Sequence, residues 1–363
     1  MMSGAPKDVG IRAMELYFPN SYVEESELEE FNKVSSGRYT VGLGVKEMGF
    51  CGVEEDVTSI SLTVLSALLK NYQIDKSSVG YIIVGSETIT DKSKGVFTAL
   101  SQLFDKNNEI FGAECIGACY AGTSALFNAI DWIYANWQRE RKYAVVVMAD
   151  IAVYAPGPAR CTGGAGAFAA LIGPDAAVAF EEGLRSAVLK DVWDFYKPVC
   201  GLSTEYAFLN GQLSLESYLR MLDFAYENYK RKAFKLRGIG ISLSDFQAVM
   251  LHCPFSKLVQ KGFGRLVYKD YMEGLQDSLV EPELLDTINK NLWEEKALPN
   301  LFFNLRIGNM YTASLYAQLF GLFHSKRQKY SPAAYTEILA ARETFTNGKK
   351  CENIFSYITL LQQ

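Results

Sequence analysis

Short β-branched runs alternate with helical patterns along the 363 residues, and the order of these segments occurs twice. That alternation constrains the fold more than any single motif, because strands separated by helices are joined by crossovers and layered as an α/β structure. Strands are predicted over 9–18 (VGIRAMELYF), 79–86 (VGYIIVGS), 143–150 (YAVVVMAD) and 166–173 (GAFAALIG). Helical spacing covers 59–72, 94–104, 122–136 and about 213–234, where Leu215, Leu219, Leu222 and Tyr226 share one face. In the first copy, a strand ending in VGSET leads to KGVFTALSQLF, then CYAGTSALFNAIDWIY, then YAVVVMADI. In the second, FQAVMLHCP (246–254) leads to KLVQKGFGRLVY, NMYTASLYAQLFGLF and ENIFSYITLL. Two related halves are expected, 1–175 and 176–363, the second lacking its final strands.

Composition narrows the class. With 49% hydrophobic and 21% charged residues, the chain is expected to bury a sizeable core. A net charge of −5 without a long like-charge block speaks against nucleic acid or an anionic membrane as partner. KRKAFKLR (230–237) reads as the solvated end of a helix. No apolar run reaches membrane-helix length, and the N-terminus lacks the pattern of a signal or transit peptide, so a cytoplasmic protein is expected. Seven cysteines without paired spacing fit a reducing compartment, and two histidines are too few for a His-rich cage. No metal is expected.

Three residues carry the chemistry. Cys119 precedes a helical pattern among small residues, where unpaired N–H groups and the helix dipole favour a thiolate. His252 closes an apolar strand-like run, and Glu87 occupies the matching point of the first half; strand ends in α/β folds are where reactive side chains collect. A cysteine nucleophile able to take an acyl group, a carboxylate able to move a proton and a histidine able to polarise an oxyanion form a sensible set. His324 reads as a residue near a helix C-terminus, without a catalytic role.

At these residues the sequence resembles the 3-hydroxy-3-methylglutaryl-CoA synthase family of the thiolase superfamily. The resemblance runs over nearly the whole chain, through GRYTVGLGVKEMGFC, VGSETITDKSK, ACYAGTSALFNAIDW, DIAVYAPGPARCTGGAGAFAALIGP, DFYKP, HCPFSKLVQK and GNMYTASLY. It implies a thiolase-like αβαβα sandwich of two pseudo-repeated halves, usually a homodimer. It also implies condensation of acetyl-CoA with acetoacetyl-CoA and water through an acetyl-Cys119 intermediate, with Glu87 as base and His252 binding the second substrate. Asp150, Thr162, Asp194, Ser214, Lys257, Asn309 and Tyr311 fall on positions that line or support the family's site, and Tyr120 and Asp91 are weaker matches. The acyl-CoA molecules are substrates, and no cofactor is implied.

Three departures stand out. Ala121 replaces the family's glycine after CY; Pro156, Pro158 and Cys161 alter the loop before Thr162; and FSYITLLQQ stands where the family continues through a Gly-Ser-Gly turn into further strands. The last motivates a second expectation, a truncated, non-catalytic acyl-CoA-binding or dimer-modulating relative.

Overall fold

The computed structural model describes residues 4–91, 93–197, 199–200, 202–203, 206–274 and 282–329. Its centre is a six-stranded mixed sheet in the order Phe111–Cys115, Val79–Gly85, Tyr143–Ala152, Gly164–Gly173, Gly10–Tyr17, Val178–Ala179. Val79–Gly85 runs parallel to both of its neighbours, whereas the remaining pairings are antiparallel.

The sheet is covered on both faces, which explains why its strands read as continuous apolar runs. Period two splits them: Val146 and Met148 join Leu126, Ala129, Ile130 and Ile133 of helix Ala121–Glu140. Their neighbours Val145 and Val147 join Ile60, Val64, Leu65 and Leu68 of helix Val57–Asn71. The latter helix starts at Asp56, whose side chain accepts from Ser59 N at 2.6 Å while Ser59 Oγ accepts from Asp56 N at 2.8 Å, a reciprocal cap.

The later helices make two contributions. Gly211–Arg237, Ser256–Gly274 and Pro282–Lys296 form their own apolar cluster around Tyr218, Leu222, Phe263, Leu266 and Trp293. Helix Ser314–Lys329 instead sends Leu315, Leu319 and Leu322 into the core beneath the six-stranded sheet. Arg237 closes the long helix beside Glu181, and the basic run there also holds Lys230 against Asp270 at 2.7 Å. His324 packs against Phe302 at a tilt, with ring centroids 4.3 Å apart.

One expected strand does not form. Over 246–254 no β-ladder is present among the described residues. Its backbone groups find other partners: Val249 N donates to Lys296 O at 2.9 Å, Asn300 Nδ2 donates to Val249 O at 3.2 Å, and the Gln318 amide both donates to Leu251 O and accepts from Leu251 N. Helix-borne amides thus do the work of a neighbouring strand. The expected strand at 352–361 lies outside the described residues.

Candidate active site

Topology brings the two reactive groups together. Gly85 is in register with Cys115 on one side and Met148 on the other, so the middle and edge strands end at one level while the third runs on to Ala152. Glu87 leaves the end of the middle strand, and Cys119 follows the edge strand in a single 3-10 turn, Ala118–Tyr120, at the entrance of helix Ala121–Glu140. This is the carboxyl-end crevice where open parallel sheets place ligands.

Small residues permit the approach. A Cβ on Gly85 would lie 2.6 Å from Ala121 O, and one on Gly122 would lie 2.8 Å from Thr312 O. Side chains at either position would push the helix entrance away from the strand end or from the 311–313 turn. Ala121, the methyl-bearing departure, is fully buried.

The Cys119 thiol donates to Glu87 Oε1 at 3.2 Å. Burial, and next the Asp150 charge, raise the Glu87 carboxyl to about 8, against the pull of Lys197 and the thiol. Burial and the adjacent Glu87 carboxylate push the Cys119 thiol well above its ordinary range. The expectation of a resting thiolate is therefore corrected: desolvation and a neighbouring anion outweigh the helix entrance, and the sulfur is a thiol facing the Glu87 carboxyl.

Asp150 is the hub beneath this pair and is fully buried. Its Oδ1 accepts from Glu87 N at 2.9 Å, Thr88 N at 3.0 Å, Thr88 Oγ1 at 2.9 Å and Ser86 Oγ at 3.0 Å. Its Oδ2 accepts from Thr312 N at 3.1 Å and from Thr312 Oγ1. One carboxylate thus locks the Glu87 backbone to the turn that carries Tyr311.

Tyr311 is completely buried and packs with Ala152 and Tyr154 against Cys119. Phe195 completes the aromatic wall, with its ring centroid 5.6 Å from Tyr311 and 6.5 Å from Tyr154. Ala118 (φ 47°), Phe195 (φ 52°) and Tyr311 (φ 42°) all adopt left-handed backbone. Such conformations cost about 1–2 kcal/mol each for residues with a Cβ, so their gathering around one sulfur marks a site where strain is retained.

The other expected residues fall around this centre. Asn309 Oδ1 accepts from Tyr311 N and Ser314 Oγ, each at 2.8 Å, and Asn309 N donates to Thr162 O at 3.2 Å. Thr162 Oγ1 turns back to Ala159 O at 2.8 Å, and the neighbouring Cys161 is buried with Leu28, Tyr39 and Val45. Asp194 accepts from Ser214 Oγ and from Asn210 N at 2.6 Å, so these two expected residues pair with each other. Lys257 Nζ donates to Gln260 Oε1 at 2.9 Å, and its backbone N donates to Leu43 O at 3.0 Å. Asp91 is exposed, and its carboxylate accepts from Ser93 N and Lys94 N. Tyr120 is half-buried, and burial raises its phenol.

His252 is buried, its carbonyl accepts from Tyr218 Oη at 2.8 Å, and its Nδ1 has no hydrogen-bond partner. Desolvation lowers its pKa to about 4, so the ring is neutral. No hydrogen bond joins His252 to Glu87 or Cys119 among the described residues. Sequence reasoning missed Lys197, whose Nζ lies 3.6 Å from Glu87 Oε2, and the pinning threonines Thr88 and Thr312. DFYKP held the lysine in plain view, but nothing local pointed it at Glu87.

Comparison with known proteins decides the family. The model for the hydroxymethylglutaryl-coenzyme A synthase N-terminal region matches residues 5–177, and that for the C-terminal region matches 178–282 and 271–330. The chain belongs to the hydroxymethylglutaryl-CoA synthase family. Within that family it is 46% identical over 326 residues to the Caenorhabditis elegans hydroxymethylglutaryl-CoA synthase, covering 86% of this chain and 70% of the relative. It is 42% identical to the human mitochondrial hydroxymethylglutaryl-CoA synthase, covering 89% and 69%. The solved structure of MvaS in complex with 3-hydroxy-3-methylglutaryl coenzyme A superposes with a TM-score of 0.81 at 31% identity, covering 88% of this chain and 77% of that one. The expected thiolase-like α/β fold is thereby borne out.

Proposed function

We propose that this hydroxymethylglutaryl-CoA synthase relative condenses acetyl-CoA with acetoacetyl-CoA and water, giving 3-hydroxy-3-methylglutaryl-CoA and CoA. The observation that carries this reading is the Cys119 thiol held against Glu87 at a helix entrance. Family membership supplies the substrate class, and two solved relatives are complexes with 3-hydroxy-3-methylglutaryl coenzyme A and with CoA.

Glu87 takes the Cys119 proton as sulfur attacks the acetyl thioester, and the same proton leaves with CoA. A carboxyl near pH 8 is matched to both directions of that transfer at neutral pH. The emptied carboxylate then removes a methyl proton from acetyl-Cys119, the resulting carbon nucleophile attacks C3 of acetoacetyl-CoA, and the C3 oxygen takes up that proton from Glu87 as the tertiary alcohol forms. Neutral His252 hydrogen-bonds the second substrate, while water cleaves the Cys119 thioester. Asp150 and Asn309 hold the strand end and the Tyr311 turn; Thr162, Asp194, Ser214, Lys257 and Tyr311 line or support the acyl-CoA path. The thioesters arrive activated, so the reaction draws on no cofactor.

We further place the enzyme in the cytoplasm as a homodimer, in mevalonate-type isoprenoid and sterol synthesis. Free cysteines at 51, 115, 119, 161 and 253 fit a reducing compartment. The edge strand Phe111–Cys115 exposes Phe111, and Ile116 beyond it is exposed too, as suits pairing with a second copy. The non-catalytic alternative is not favoured, since nucleophile and base are both present and hydrogen-bonded. Incubation with both thioesters tests the reading: loss of acetoacetyl-CoA with matching release of free CoA supports it, and thioester binding without turnover contradicts it.

A further inference from the structure

Lys197 reaches the catalytic pair from a segment built to deliver it. Tyr196 bonds Phe208 through both backbone groups, N to O at 3.1 Å and back at 2.9 Å, and their rings stack 5.8 Å apart. Trp193 packs on Tyr196 at 4.8 Å, Asp194 is tied to Asn210 and Ser214, and Phe195 packs edge-on against both Tyr154 and Tyr311. Every residue from 193 to 196 is thus anchored, which fixes where the next side chain goes. Lys197 Nζ stands 3.6 Å from Glu87 Oε2, 3.4 Å from Glu87 O and 4.9 Å from the centre of the Tyr311 ring. Its side chain is only 16% exposed.

We propose that Lys197 is a positioning residue that holds Glu87 in its charged, Cys119-facing orientation through the condensation. The two Glu87 oxygens are divided between partners, Oε1 taking the thiol and Oε2 the ammonium. The groups facing Glu87 are Cys119 from the helix entrance, Asp150 from the central strand, Lys197, and the phenols of Tyr154 and Tyr311. Lys197 is the cation in that set and opposes Asp150 and burial. Because the Asp150 oxygens are already engaged by Ser86, Glu87 N, Thr88 and Thr312, Asp150 holds the backbone while Lys197 addresses the reacting carboxylate.

This inference rests on the acyl-transfer reading, so its test includes a readout that needs no acyl-CoA. In the free protein, iodoacetamide alkylation of Cys119 is followed from pH 6 to 10 in the unaltered chain, Lys197→Met and Lys197→Arg, beside acetylation by acetyl-CoA. Lys197→Met is expected to move the acid limb of both profiles upward by about one pH unit. It is expected to slow acetylation at pH 7 by about tenfold while recovering at high pH, with KM for acetyl-CoA changed by less than about threefold. Lys197→Arg, which keeps the charge, is expected to restore most of the profile. An unchanged limb in Lys197→Met, a pH-independent loss in both variants, or no rescue by arginine overturns the inference. Alkylation that shifts as expected in a protein that never forms an acetyl adduct overturns the acyl-transfer reading instead, and leaves the Lys197–Glu87 coupling standing.

Discussion

Glu87, just past the end of one strand, and Asp150, on the neighbouring strand, are two carboxyl groups joined through backbone: Asp150 Oδ1 accepts from Glu87 N at 2.9 Å. Asp150 is fully engaged by donors, whereas Glu87 is left to the Cys119 thiol and the Lys197 ammonium. The proposed reaction gives these two carboxyls in one buried site different tasks, anchoring and proton transfer.

Replacing the proton carrier tests that division. Glu87→Gln keeps the shape and removes the base, and is expected to slow overall turnover by about 10²–10⁴-fold. The variant's thermal stability stays at or above that of the unaltered chain, because a buried carboxyl near pH 8 is replaced by a neutral amide. Steady-state assays and calorimetry read the two effects separately.

Removing the anchor has the opposite signature. Asp150→Ala leaves Glu87 N, Thr88 Oγ1 and both Thr312 donors unpaired in the core, and is expected to cost about 3–5 kcal/mol of stability. Urea unfolding measures the loss, and Asp150→Asn recovers only part of it because its amide NH₂ meets donors.

A remote carboxyl offers a test by pH. Glu25 is fully buried, neither of its oxygens has a hydrogen-bond partner, and burial followed by Glu29 raises it to about 8. Between its ordinary value of 4.5 and about 8 the folded chain binds more protons than the unfolded one, so Glu25 lowers stability as pH rises through that window. Glu25→Gln abolishes this titration. Its stability relative to the unaltered chain is expected to improve from pH 5 to 8 by on the order of 1 kcal/mol per pH unit at most. A stability difference flat across that range contradicts the assignment.

Gln318 is expected to act on the second substrate through His252. It clips Leu251 at both backbone groups, immediately before the histidine. Gln318→Leu is expected to raise KM for acetoacetyl-CoA by about tenfold, equivalent to about 1.4 kcal/mol, while acetylation of Cys119 proceeds unchanged. Separate measurement of the two half-reactions checks it.

Much of the frame is legible in the residues. Strands Gly10–Tyr17, Val79–Gly85, Tyr143–Ala152 and Gly164–Gly173, with helices Val57–Asn71 and Ala121–Glu140, follow from β-branched runs and helical spacing. FQAVMLHCP misleads because composition specifies an extended, buried segment but not what it bonds to, and here Gln318 and Asn300 serve. Cys119 and Glu87 were readable because each stands in a distinctive motif. Lys197 was not, because its contact with Glu87 spans 110 residues and depends on how Tyr196 pairs with Phe208. The protonation state of Cys119 was likewise hidden, since burial of the sulfur is a property of the assembled wall around Tyr311.

The most direct measurement is intact-protein mass after brief exposure to acetyl-CoA alone, followed by addition of acetoacetyl-CoA. One acetyl group is expected on the chain, mapping to Cys119, missing in Cys119→Ala, and discharged when the second thioester is added. A chain that stays unmodified, or an acetyl group that persists in Cys119→Ala, contradicts the account.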